Sequence, residues 1–102
     1  MAKVSDKLYG VSVCSIDGQQ HHHGDVEHHF CVQSCSKPIT YLIATDLNNS
    51  EYVHNFIGRE PSGKNFNELC LNSEKIPHNP LINSGAIMAA SLVNYRDAIA
   101  DR

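Results

Sequence analysis

The sequence predicts a mixed α/β chain, an antiparallel hairpin followed by helices, and three stretches carry that expectation. β-Forming residues cluster before Asp17-Gly18, apolar residues recur every three or four positions after Ser34, and Gly85 to Val93 is almost wholly apolar. The composition agrees: 102 residues, 41% of them hydrophobic and 19% charged, suit one globular domain or part of one.

Tyr9 to Asp17 reads as a strand, with Val11, Val13, Cys14 and Ile16 set around Ser12 and Ser15. Asp17-Gly18 is a tight-turn pair, so Gln19 to His23 is expected to return as the second strand. A loop centred on Gly24-Asp25 leads to Phe30-Cys31-Val32. From Ser34 the pattern turns helical, with Cys35, Ile39, Leu42, Ile43 and Leu47 at spacings of three and four. Ser34 suits a helix amino terminus, Pro38 falls in the first turn where proline is tolerated, and Asn48-Asn49 closes the helix. Ser50 opens a short second helix containing Val53, Phe56 and Ile57 and ended by Gly58. Arg59 to Asn65 is turn-rich; Phe66, Leu69 and Leu71 are expected to pack a short helical turn, and Asn72 to Pro80 is a loop. A third helix, from about Ser84 to Tyr95, is apolar nearly all round, which predicts burial on most sides. A hairpin and two short helices cover little of such a helix, so the chain is expected to be part of a larger domain.

Charge and patterning exclude several classes. A net charge of −3 with scattered Lys and Arg argues against a nucleic-acid surface and against binding to an acidic membrane. The longest apolar stretch, Gly85 to Val93, is interrupted by Ser91 and is far shorter than the roughly 20 residues a membrane span needs. The opening MAKVSDKLYG has no hydrophobic core of a signal peptide and is too short to read as a mitochondrial presequence. The four cysteines, Cys14, Cys31, Cys35 and Cys70, lie in apolar stretches and are expected to be reduced and buried, which points to an intracellular compartment.

The sharpest local feature is Gln33-Ser34-Cys35-Ser36-Lys37-Pro38. Ser34 and Lys37, three apart on a helix, share a face, so the amine can approach the hydroxyl. A serine hydroxyl needs a neighbouring base to become a nucleophile, and a partly desolvated lysine can supply it, alone or relayed through a tyrosine. Amides at the helix start, with the helix dipole behind them, would face a developing oxyanion. This is the S-x-x-K arrangement of β-lactamases and penicillin-binding enzymes. Taken alone it also fits a helix cap at Ser34 with a solvated Lys37.

Four collinear blocks extend the match: GVSVCSIDGQ (Gly10 to Gln19), FCVQSCSKP (Phe30 to Pro38), EYVHNFIGREPSG (Glu51 to Gly63) and KIPHNPLINSGAI (Lys75 to Ile87). With the stretches between them they cover Leu8 to about Val93 and resemble the glutaminase family in its animal-type form. That resemblance implies a fragment of a serine β-lactamase/penicillin-binding-protein-like domain, with residues 1–102 the amino-terminal portion of a glutaminase catalytic domain. It implies hydrolysis of L-glutamine to L-glutamate and ammonia through a serine acyl-enzyme. Ser34 resembles the family nucleophile and Lys37 its activating partner. Asn83 resembles a residue holding the substrate's amino-acid end, and it can also cap the third helix. Gln33 resembles a pocket-lining residue. The family implies no cofactor, assembly as homo-oligomers (commonly tetramers), and a mitochondrial or cytoplasmic location. Departures exist: further substrate-binding glutamate, asparagine and tyrosine residues of the family have no counterpart here, nor do its active-site tyrosines. Tyr9 stands where a tryptophan is usual.

Three other readings remain beside this one. A catalytically inactive glutaminase-like chain could associate with other subunits. A β-lactam-directed S-x-x-K enzyme lacks support, since neither Ser-Asp-Asn nor Lys-Thr-Gly occurs. His21, His22, His23, His28 and His29, beside Asp25 and Glu27, could bind a metal. Their hairpin and loop position favours exposed loop histidines with no metal site, while His54 and His78 are expected to make local hydrogen bonds.

Overall fold

The computed structural model describes residues 4–65 and 67–93. The chain divides into two compact units, residues 1–31 and residues 32–102.

The first unit is built on an antiparallel hairpin, β1 (Gly10–Cys14) and β2 (Gln20–Gly24). Gly10 pairs with Gly24, Val11 with His23, Ser12 with His22, Val13 with His21 and Cys14 with Gln20. Both strands are shorter at the turn end than expected, because the turn takes more residues than Asp17-Gly18. Gly18 N–H donates to the Ser15 carbonyl at 3.0 Å and Ser15 N–H to the Gln19 carbonyl at 2.9 Å, with Gly18 at φ 86°. Asp17 and Gly18 are thus the third and fourth residues of a turn opened by Ser15. The Ser15 hydroxyl donates to the Asp17 carboxylate, and Gln19 Nε2 donates to it at 2.7 Å. Those two donors, the serine first, hold the Asp17 carboxyl below its ordinary value.

The pleat sends His21 and His23 to one face and His22 to the other. Tyr9 stacks edge-on against His23, and His22 Nδ1 meets Ser12 Oγ at 3.0 Å. Among the described residues no three His, Cys, Asp or Glu side chains come together as a metal site would require.

The second unit is helical. A 3₁₀ turn (Gln33–Cys35) runs into α1 (Ser36–Asn48), followed by α2 (Ser50–Val53) and α3 (Asn83–Val93). The first helix therefore starts in the tighter form around Ser34 rather than with a serine cap. Asn49, at φ 62° and ψ 157°, turns the chain between α1 and α2, and its side chain accepts from Tyr52 N–H at 2.9 Å. Beyond Val53 the expected helix tightens into turns: Asn55 and Phe56 N–H bond three residues back, to Tyr52 and Val53. His54 makes the local bonds expected of it, to Ile57 O at 2.7 Å through Nδ1 and to Tyr41 Oη at 2.8 Å through Nε2. A carbonyl can only accept, so Nδ1 carries a proton. His78 Nδ1 lies 4.0 Å from Cys70 Sγ.

The core is small: Ala44, Val53, Ile57, Ala89 and Leu92 are buried, with Tyr41, Tyr52, Phe56, Met88 and Val93 packed against them. Asn48 Nδ2 ties α1 to α3 by donating to Leu92 O at 3.0 Å. No described helix is long and apolar enough to cross a membrane.

Burial departs from the apolar patterning in several places. α1 turns Tyr41, Ala44 and Asn48 inward and leaves the apolar Ile39, Leu42, Ile43 and Leu47 exposed. On α3 the buried partners in this core are Ala89 and Leu92, with Met88 and Val93 packed beside them. α3 itself is buried along Gly85, Ala89 and Leu92 only, while Ile87 is 67% exposed; Tyr95 lies outside the described residues. Cys14, Cys31 and Cys35 are exposed and Cys70 half-buried, all as free thiols. In the hairpin, Val11 and Val13 are equally exposed, so its apolar pattern buries nothing there. Leu69 and Leu71 are also exposed, Leu71 bridging to Pro77 instead of packing a helical turn; Phe66 lies outside the described residues.

Candidate active site

The site begins with a strained residue. Gln33 sits at φ 43°, a left-handed conformation that costs a non-glycine residue of order 1 kcal/mol or more. The bend presents Ser34 at the surface, on the 3₁₀ turn. Two bonds hold the bend: Cys35 N–H to Val32 O at 3.0 Å, and the Ser36 hydroxyl to Gln33 O at 2.7 Å. Lys37 follows as the second residue of α1, three positions after Ser34. The helix dipole adds positive potential beside the serine.

Lys37 is gripped from the far end of the unit. Its Nζ donates to Asn83 Oδ1 at 2.7 Å and to the Leu81 carbonyl at 2.9 Å. Leu81 lies in the loop that enters α3 and Asn83 is the helix's first residue, and that loop is itself braced. Asn79 Oδ1 accepts from Leu81 N–H at 3.0 Å and Ile82 N–H at 3.2 Å, while Asn79 Nδ2 donates to Glu60 O at 3.0 Å. Gly85 allows α3 to sit against this loop, since a Cβ there would come 1.8 Å from the Asn79 carbonyl oxygen.

Gln33, Ser34, Lys37 and Asn83 line one open cleft of about 460 Å³, whose apolar wall is Ala86, Ile87 and Ala90 of α3. A hydroxyl, an amine, two carboxamides and an apolar wall suit a small polar substrate with a short aliphatic stem. A cleft of about 490 Å³ in residues 1–31 is slightly larger, lined by Leu8, Tyr9, Val26 and Phe30 around Asp25, whose carboxylate accepts from Tyr9 N–H at 3.0 Å. The nearest serine–histidine contact in that unit, Ser12 with His22, is an exposed cross-strand pair, so the smaller cleft is the better site.

Two participants escape sequence reading. Leu81 contributes through its backbone carbonyl, and Asn79 through a turn that only the folded loop reveals. The one available cue was the Asn-Pro pair at 79–80, a turn-initiating dipeptide beside the Asn83 block.

A hairpin followed by helices, with a serine–x–x–lysine pair opening the first long helix, defines a portion of the serine β-lactamase-like fold. The glutaminase family model matches residues 1–102, and the chain belongs to the glutaminase family. The mitochondrial liver isoform of rat glutaminase is 50% identical over 93 residues, covering 91% of this chain and 15% of its own length. The glutaminase of Trichormus variabilis is 38% identical over 94 residues, 91% of this chain and 28% of its length. Among solved structures, the Bacillus subtilis probable glutaminase is similar with a TM-score of 0.71 at 37% identity, covering 85% of this chain and 29% of that one. The chain thus spans less than a third of each of these three relatives.

Proposed function

We propose that this chain carries the nucleophile-bearing part of a glutaminase active site that converts L-glutamine to L-glutamate and ammonia. The observation that carries it is the family match along all 102 residues, which includes the Ser34–Lys37 pair. Ser34 Oγ attacks the side-chain carboxamide carbon, its proton passes to Lys37, and the helix-start amides stabilise the oxyanion. Lys37 then protonates the departing nitrogen, ammonia leaves, and a γ-glutamyl ester remains on Ser34. Water attacks that ester, with Lys37 again taking a proton, and glutamate is released.

Two acceptors on the amine suit this cycle. Leu81 O and Asn83 Oδ1 hold the amine in the cleft, where its unprotonated form would receive the serine proton. Asn83 and Gln33 stand where their carboxamides could meet the substrate's polar groups. No cofactor is needed for these steps. The working form is a homo-oligomer, a tetramer by family resemblance, inside the cell, in mitochondria or cytoplasm.

Ammonia release from L-glutamine by the purified chain, compared with Ser34→Ala, tests the reading. Release that depends on Ser34 is expected. Equal release by both proteins, or none by either, overturns it for this chain.

A further inference from the structure

Leu81 O and Asn83 Oδ1 must converge on one amine from positions two residues apart, so the lysine's place depends on the shape of the loop between Pro80 and α3. One side chain shapes that loop. Asn79 Oδ1 closes a turn across Pro80 by accepting from both Leu81 and Ile82 N–H, and Nδ2 anchors the turn to Glu60 O. The anchor is itself part of a paired segment, where Gly58 N–H donates to Pro77 O at 2.7 Å and Glu60 N–H to His78 O at 3.0 Å. Close contact of Gly85 with the Asn79 carbonyl leaves the turn little room to shift toward α3.

We infer that Asn79 is a positioning residue for the Ser34–Lys37 pair, fixing the acceptors that hold the lysine's amine. The inference rests on reading that pair as nucleophile and base. Asn79 acts through Leu81 and Asn83, behind the cleft.

The loop supplies its own control. Asn72 makes the same kind of turn, accepting from Glu74 N–H at 2.9 Å and Ile76 N–H at 3.2 Å, but Leu81 and Asn83 lie outside that turn. Acetylation by N-hydroxysuccinimidyl acetate, which forms an amide at Nζ and expels N-hydroxysuccinimide with the amine proton, is read by mass spectrometry as the ratio of Lys37 to the exposed Lys64. Asn79→Ala is expected to raise that ratio about five-fold or more, the effect of losing roughly one net hydrogen bond. Asn79→Asp keeps the acceptor for Leu81 and Ile82 but loses the donor to Glu60 O, so its ratio should fall between wild type and Asn79→Ala, and Asn72→Ala should leave the ratio unchanged. Should Asn79→Ala fail to fold by circular dichroism, Asn79→Ser, with its weaker turn-forming hydroxyl, is read the same way with a smaller rise.

An unchanged ratio in the folded Asn79 variant, or the same rise in Asn72→Ala, overturns the inference. A second arm measures sulfonylation of Ser34 by phenylmethylsulfonyl fluoride, which forms the Oγ–S bond, expels fluoride and passes the serine proton to Lys37. Its rate should fall in Asn79→Ala and recover in part in Asn79→Asp. No label on wild-type Ser34, with the lysine ratio following the expected pattern, overturns the proposed function and leaves the hold of Asn79 on Lys37 standing.

Discussion

At the scale of single residues, the lysine is the hinge between sequence and chemistry. Its neighbours in the chain put it beside Ser34, and residues 44 and 46 positions away hold its amine. General-base assistance is worth about 10²–10⁴ in rate, so Lys37→Met should slow sulfonylation of Ser34 by at least about a hundred-fold while leaving the far-ultraviolet spectrum unchanged. A loss under about three-fold would remove Lys37 from the role of base. Asn83→Ala takes away one of the amine's acceptors and should have a smaller effect, up to about ten-fold, since a net hydrogen bond contributes about 0.5–1.5 kcal/mol. The types and spacing of Ser34, Lys37 and Asn83 were legible in the sequence because each is a side chain with its own chemistry in a collinear block. The Leu81 carbonyl was not, since every residue carries one and only the loop's path selects which is used. The left-handed Gln33 was equally hidden: no glycine marks the bend, and the strain is held by Val32, Cys35 and Ser36.

Elements show a second division between what patterning reveals and what packing decides. The hairpin was legible from Asp17-Gly18 and the β-formers around it, but its turn opens at Ser15 because the Asp17 carboxylate gathers donors from Ser15 and Gln19. A carboxyl held below its ordinary value of 3.8 stabilises the folded turn above that pH and loses the contribution as pH falls through the lowered value. The Asp17 carboxyl carbon, followed by NMR, should therefore titrate below the ordinary value, and Ser15→Ala should move its midpoint back up. A midpoint unmoved by Ser15→Ala would take the serine out of the account. Helix positions were legible from their spacing, but the buried side of α1 was not. Spacing identifies a helix, whereas the buried face is decided by the core that α1 shares with α3, where Ala44 packs with Ala89 and Leu92. Gly85 governs a different contact, the close approach of α3 to the Asn79 loop. Alanine there adds about 1 kcal/mol of helix propensity, yet its methyl would collide with the Asn79 carbonyl, and overpacking costs about 1–3 kcal/mol. Gly85→Ala should thus lower the urea midpoint of the helical unit and raise the acetylation of Lys37 together. A stabilised variant would show that the loop yields freely.

For the molecule as a whole, the two units differ in what holds them. Every described buried apolar side chain lies in residues 32–93, where Val53 and Ile57 are fully enclosed, while both strands of the hairpin are exposed along their length. A two-stranded hairpin without a packed face is marginal in water, and local opening follows the density of buried contacts. Amide hydrogen exchange should separate the units: Val11 and Val13 in β1 should exchange early, and the amides near Ala44 and Ala89, on the facing helices, last. Ile57→Ala makes the contrast causal. Removing a buried isoleucine's outer atoms costs about 2–5 kcal/mol, so exchange in α1 and α3 should accelerate by roughly thirty-fold or more, while the hairpin amides keep their rates. Equal acceleration in both units would mean that they unfold as one, and that the hairpin draws its stability from the helical core after all.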